Sequence, residues 1–245
     1  MFDLQKANLT KRISAFIFDL IVLSILSVGF GTIISYITNY DSHYNTCLNI
    51  ISEYEEKYNS SYDIGEDEYF GLTDAEKESY AEMEEAIYSD SDFVYHSNIY
   101  FSLSLLIVSL GIFFGMLVSE FIVPLIYGNG MTLGKKIFGL AVMRQDHVQV
   151  SPLHMFIRTF LGKYTVETMI PVLLVMMIFF GSIGIVGTII IFAMGILQIV
   201  CMVLSHTNAC IHDIFAGTTV VDFASQKIFK TPEEMKAEQS KNASV

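Results

Sequence analysis

Two carboxylates interrupt long apolar stretches of this chain, Asp19 within residues 13–38 and Glu120 within 99–127. A charge at membrane depth is costly, and it is retained for ion binding, proton transfer or pairing with another charge. Asp19 follows Arg12 by seven residues, two helical turns, so both lie on one helix face with Asp19 about 10 Å deeper. Glu120 stands the same distance before Tyr127, where its stretch ends, so in helices of opposite direction the two acids reach similar depth. Glu167 and Gln198 fall near the same ends of two further apolar segments. Such a cluster suits a cation or proton site opening to one side, with a carboxylate pKa raised by desolvation and lowered by arginine. It suits equally a structural ion-pair network that fixes helix register.

Other chemistries fit less well. The run 128–136, Gly-Asn-Gly-Met-Thr-Leu-Gly-Lys-Lys, has the composition of a phosphate loop but lacks the four-residue gap before Gly-Lys and the Ser or Thr after it. A tight turn carrying interfacial lysines is expected, with Thr132, Gly134 and Lys135 as its motif. His206, Cys210, His212 and Asp213 have no specific metal-ligand spacing, so capping and ion pairing are expected there, and neither a metal nor a cofactor is assigned. Asp63, Glu66, Asp67 and Glu68 lack the spacing of a calcium-binding EF-hand loop and read as a solvated face. The chain contains no Gly-x-Ser-x-Gly elbow, His-Glu-x-x-His pair or nucleotide fingerprint, so an enzyme is not expected. The absence of a sustained basic stretch argues against nucleic-acid binding.

The elements that must position these residues follow from composition. Hydrophobic residues make up 52% and charged residues 16% of the 245, too few charges for an ordinary soluble domain. Spans are expected at 13–38, 98–127, 166–183 and 185–205, the last pair divided at Gly181-Ser182-Ile183-Gly184, because one helix over 166–205 would be twice the thickness of a bilayer core. The first span follows Lys6, Lys11 and Arg12 and is too long for a cleaved signal, so it reads as a retained anchor. Gly111 and Gly115, spaced Gly-x-x-x-Gly, permit close helix approach within the chain or between copies. The net charge of −12 is local: residues 41–96 hold sixteen acids against Lys57 and Lys77, whereas the rest carries a small positive excess. Basic residues cluster before the first span, between the second and third, and after the fourth, which places both termini in the cytoplasm and the acidic segment outside.

Within that segment, 39–97, a helical pair is expected. Ile50, Ile51, Tyr54 and Tyr58 recur at helical spacing, and Thr73 with Glu76 forms a capping box for a helix whose Tyr80, Met83 and Ile87 share a face. Between the middle spans, residues 140–143 and 148–150 read as a β-hairpin that 218–221 could join as a third strand. Ser151 and Pro152 start an amphipathic helix with Leu153, Phe156, Ile157, Phe160, Leu161 and Tyr164 on one side and His154, Arg158 and Lys163 on the other. This pattern predicts a helix lying in the membrane interface with its cations toward headgroups, the alternative being a bundle helix packed on protein. The expected fold is thus an all-α four-helix transmembrane bundle with an interfacial amphipathic helix, a small cytoplasmic β element and an acidic extracytoplasmic helical insert, ending in a cytoplasmic tail, 206–245.

Three segments taken in order resemble the RDD family of membrane proteins: Arg12-Ile-Ser-Ala-Phe-Ile-Phe-Asp19, Thr132-Leu-Gly-Lys-Lys-Ile-Phe-Gly-Leu-Ala-Val142 and His212-Asp-Ile-Phe-Ala-Gly-Thr-Thr-Val-Val221. The long acidic insert is a departure from what the family generally needs. The resemblance implies a polytopic, mostly bacterial protein of the cell membrane, with cation/proton exchange proposed for some members, and it marks Arg12, Asp19 and Asp213. Two functions are therefore expected in competition. One is a proton-coupled transporter of monovalent cations using Asp19 and Glu120, acting as a homo-oligomer because four spans without an internal repeat are few for alternating access. The other is a non-transporting scaffold, sensor or assembly factor whose acidic insert meets an extracytoplasmic protein partner.

Overall fold

A computed structural model describes residues 5–179, 181, 183–205 and 208–243; Ser182 of the expected interhelical turn, and His206 and Thr207, lie outside the described residues. The helices α1 (Leu9–Ile37), α5 (Ser91–Tyr127), α7 (Pro152–Phe179) and α8 (Gly184–Leu204) are long and apolar enough to cross a membrane. Only 6–17% of their most apolar stretches is buried within the protein, and side chains such as Ile25, Ile189 and Phe192 face outward. That arrangement would be unfavourable in water, at roughly 25 cal/mol per Å² of apolar surface, and is the stable one against lipid. The expected hairpin between the last two spans forms, with Gly181 and Gly184 at φ of 69° and 45° and the Gly181 N–H donating to Ile178 O.

The chain divides into two compact units, Val28–Gly111 and the remainder. The first contains α2 (Tyr40–Tyr58), α3 (Glu66–Gly71) and α4 (Asp74–Ser89). The capping box expected for α4 is present: Thr73 Oγ1 accepts from Glu76 N, and Glu76 Oε2 accepts from Thr73 N at 2.8 Å. The apolar faces of α2 and α4 bury Cys47, Met83 and Ile87 together with Phe93, with Tyr54, Tyr58, Tyr62 and Tyr80 packed around them. This small core lets a segment with a large negative charge remain folded.

The second unit holds α6 (Leu133–Ile137), β1 (Leu140–Arg144), α7, α8, α9 (Ile211–Ala216), β2 (Thr218–Asp222) and α10 (Pro232–Ala243), with the flanking parts of α1 and α5. Strands β1 and β2 pair antiparallel from Leu140 opposite Asp222 to Arg144 opposite Thr218. Leu140, Val142 and Val220 pack with Ala15 on one face and Ala141, Met143 and Val221 with Met131 on the other. The expected β-hairpin is thereby corrected: 148–150 contributes only isolated bridges, Met143 with Gln149 and Val148 with Phe229, and the distant 218–222 run is the strand partner. A strand buried on both faces pairs best with the β-branched Thr-Thr-Val-Val run, which offers buried side chains to both sides, whereas 148–150 is shorter and carries Gln149 at its centre.

The burial of the amphipathic stretch fits its packed alternative. Residues 152–179 form one continuous helix, so the amphipathic stretch is the first half of the third span. Its polar side is turned inward, with Arg158 and Thr159 each 1% exposed, while Leu153, Phe156 and Leu161 face outward. Arg158 and Lys163 face the protein carboxylates of Asp213 and Glu120. A desolvated arginine is tolerated in this position only because the fold supplies its carboxylate partner.

Candidate functional site

Asp19 is 7% exposed and is held by three residues of the Thr132–Lys135 motif. The Thr132 hydroxyl donates to Oδ2 at 2.5 Å, the Gly134 N–H donates to Oδ1 at 2.7 Å, and the Lys135 ammonium lies 3.6 Å from Oδ2. Left-handed backbone at Gly128, Asn129 and Gly130 turns the chain back after α5, and Thr132 then caps α6 by accepting from Lys135 N at 3.2 Å. The Thr132 hydroxyl thus serves cap, carboxylate and Lys135 Nζ together, the last also at 3.2 Å. Glycine is required at 134, because a Cβ there would meet the Ala15 carbonyl and come within 2.9 Å of Asp19 Oδ1. The tight turn is as the sequence implies, but Lys135 is buried rather than interfacial; Lys136 is placed over the ring of Tyr127, at 3.6 Å.

Glu120, 5% exposed, pairs with Lys163 at 2.6 Å, and its carbonyl accepts from Thr159 Oγ1 at 2.9 Å. Both sides of this contact lie in π-helical segments, Leu117–Ile122 within α5 and Ile157–Met169 within α7. The wider turn leaves carbonyls off the usual ladder and re-aims side chains, which is how Arg158, Lys163 and Glu167 come to face one region.

Asp213 is the most buried acid among the described residues, at 0% exposure. Arg158 Nε donates to its Oδ1 at 2.9 Å, Thr218 Oγ1 donates to the same oxygen at 3.0 Å, and Arg12 stands farther off at 3.9 Å from Oδ2. Arg12 instead donates to Asn208 O at 2.6 Å. The neighbouring His212 has Nδ1 2.7 Å from Glu167 Oε2 and Nε2 3.0 Å from Arg158 Nη2. A guanidinium can only donate, so Nε2 accepts, Nδ1–H donates to Glu167, and the imidazole is neutral. Glu167 also accepts from His212 N and from Gln198 Nε2, tying α8 to the cluster. Gly162 permits this docking: a Cβ there would lie 2.6 Å from both Cα and Cβ of His212. Arg158 Nη1 is buried without a hydrogen-bond partner among the described residues.

Electrostatics outside the spans follow from this packing. Burial pulls the Lys135 pKa down to about 8, against the opposing pull of Glu120 and Asp19. Burial would raise the Asp213 carboxyl, but the Arg158 and Arg12 guanidiniums outweigh it and hold it well below the usual carboxylate range. Burial lowers His212, with Asp213 pulling upward and Arg158 adding to the fall. Cys210, His212 and Asp213 bring three potential metal-ligand atoms within 4.8 Å of one another. Two arginines and Glu167 already engage those residues, and Cys210 with Asp213 forms a capping box for α9, so a cation would have to displace guanidinium groups.

Arg12, Asp213 and the β2 start thus converge, as do Asp19 and the Thr-Leu-Gly-Lys turn, and Glu120 lies between Lys163 and Thr159. The sequence reading missed Arg158 as the principal partner of Asp213, and His212 as a bridge from Glu167 to Arg158. Arg158 to Glu167 spans nine residues of a π-distorted helix, and a 3.6-residue period does not put them together. The RDD family model matches residues 6–217, most of the chain, and the chain belongs to the RDD family. No curated protein and no solved structure matches it.

Proposed function

We propose that this RDD-family membrane protein exchanges protons for a monovalent cation, at the pair formed by Asp19 and Lys135. The observation that carries this reading is a buried lysine resting on a carboxylate and a threonine hydroxyl, where burial pulls its pKa down to about 8. Charged Lys135 fills the position a small cation would take. When it loses its proton, Asp19 Oδ2 and Thr132 Oγ1 are left as oxygen ligands for a monovalent ion, so one positive charge replaces another and the exchange is electroneutral. Glu120 and Lys163 form the adjoining pair through which Lys135 is electrostatically coupled to the third span. With the basic flanks inward, this site opens to the cytoplasm of a plasma-membrane protein, and copies of the chain would assemble to complete a pathway.

In proteoliposomes carrying a dye for internal pH, a sodium or potassium pulse should release protons, most strongly near pH 8 and less on either side, because above it Lys135 has already lost the proton to be exchanged. Asp19→Asn and Lys135→Met should each abolish coupling. Absence of cation-driven proton movement in the unsubstituted protein sinks the proposal. A second reading, a scaffold or assembly factor, is favoured by charge balance: Arg12, Lys135, Arg158 and Lys163 face Asp19, Glu120, Glu167 and Asp213, with His212 neutral. On that reading the network only fixes helix register, and removing residues 41–96 would release an extracytoplasmic protein partner that co-purifies with the intact chain.

A further inference from the structure

The acidic insert carries a feature that ion exchange does not use. Beside α3 lies a cleft of about 280 Å³ lined by Ile64, Glu66, Tyr69, Phe70 and Tyr80. Tyr69 meets Phe70 at a ring-centroid distance of 6.1 Å and an interplanar angle of 73°, and meets Tyr80 at 5.5 Å and 66°. Rings this steeply inclined do not stack face to face, so they wall the cleft at different angles. Tyr80 is anchored through its hydroxyl, which donates to Tyr62 O or Glu84 Oε1, leaving its ring as a fixed wall. Phe70 is 74% exposed, an apolar wall that nothing in its own unit covers.

Charge points the same way. The segment that carries these rings, residues 41–96, holds sixteen acids against two lysines, and of Asp63, Glu66, Asp67 and Glu68 only Glu66 lines the cleft. One carboxylate among aromatic walls is a poor cage for a hard metal ion, which needs six or more oxygens. It is a good one for an organic cation. The chain itself places an ammonium nearby: Lys77 Nζ lies 6.0 Å over the Tyr69 ring. A lysine head is strongly hydrated, whereas an alkylated ammonium spreads its charge over apolar methyl groups and sheds water readily, matching both the rings and the exposed Phe70 face.

We propose that this cleft is a binding site for a small organic cation bearing an alkylated ammonium group, with Tyr69, Phe70 and Tyr80 contacting the methyl groups and Glu66 supplying the counter-charge. The site is independent of the exchange proposed above, so Asp19→Asn should leave it intact and loss of either function says nothing about the other.

The test is titration of the full-length protein in nanodiscs with choline and tetramethylammonium, and with 3,3-dimethylbutanol, the neutral isostere of choline. Binding is read from calorimetry and from upfield ring-current shifts of the methyl protons. Both cations should bind with shifted methyl resonances, and the isostere about tenfold more weakly or less. Phe70→Ala and Phe70→Leu should each weaken choline binding about fivefold or more, with unchanged helix content because Phe70 is exposed. Lys77→Ala should not weaken binding. Equal affinity for the neutral isostere would make the cleft a plain apolar pocket and overturn the proposal. So would absence of saturable binding of either cation, or undiminished affinity in Phe70→Ala.

Discussion

Arg158 is the residue on which the buried charges depend most, since it serves Asp213 through Nε and His212 through Nη2. Arg158→Met strands Asp213 as a desolvated carboxylate, and a loss of about 3–5 kcal/mol of stability is expected, read as a lower unfolding midpoint in detergent. Adding Asp213→Asn to that variant should recover part of the loss, because the partner left behind is then uncharged. His212 gives a pH signature. Its folded pKa lies below the ordinary 6.5, so on acidification the unfolded chain takes up the proton first and stability falls as pH drops from about 6.5 toward the lower folded value. The difference in midpoint between about pH 7.5 and pH 5.5 should shrink in His212→Gln, and an unchanged difference would mean that the imidazole is not held neutral. At this scale the sequence was informative about which groups matter and less so about their partners. Asp19 and Arg12 could be placed on one helix face by spacing, but the hydrogen bond from Arg158 to Asp213 joins positions 55 apart, which no local period reveals.

At the scale of elements, the network exists because helices come unusually close. Gly115 faces Ser27 so tightly that a Cβ would lie 2.6 Å from its hydroxyl, which makes the Gly-x-x-x-Gly signal an intrachain contact at this position. Gly162 is the corresponding point for α9 on α7. Gly162→Ala would push against the His212 backbone, so a destabilisation of roughly 1–3 kcal/mol is expected. Loss of cation-coupled proton movement in that variant, with retained membrane insertion, would show that docking of α9 supports the site; unaltered activity and midpoint would contradict the packing described. The spans, the capped helix α4 and the β2 run were legible because apolar length, a Thr-x-x-Glu box and β-branched residues are local signals. The two π-helical segments were not. They arise where Thr159, Glu120 and Lys163 satisfy one another across helices, and their sequences carry no local mark of it.

For the molecule as a whole, charge is segregated: −14 in residues 41–96 and +2 in the rest. With that asymmetry the insert should be the segment exposed outside the cell and the tail the segment inside. Cysteines introduced singly at Glu68 and Lys236, in a chain whose own three cysteines are replaced, should react with an impermeant thiol reagent on intact cells only at position 68. Labelling at 236 instead would reverse the topology and move the buried network to the outer leaflet. The closure of that network by Asp213 and Thr218 also bears on how the chain is made. Arg158 is synthesised well before the carboxylate and hydroxyl that complete its arrangement. Until the stretch carrying Asp213 and Thr218 emerges, Glu120 is the acid already made that can balance this guanidinium, so the arrangement is completed late in synthesis.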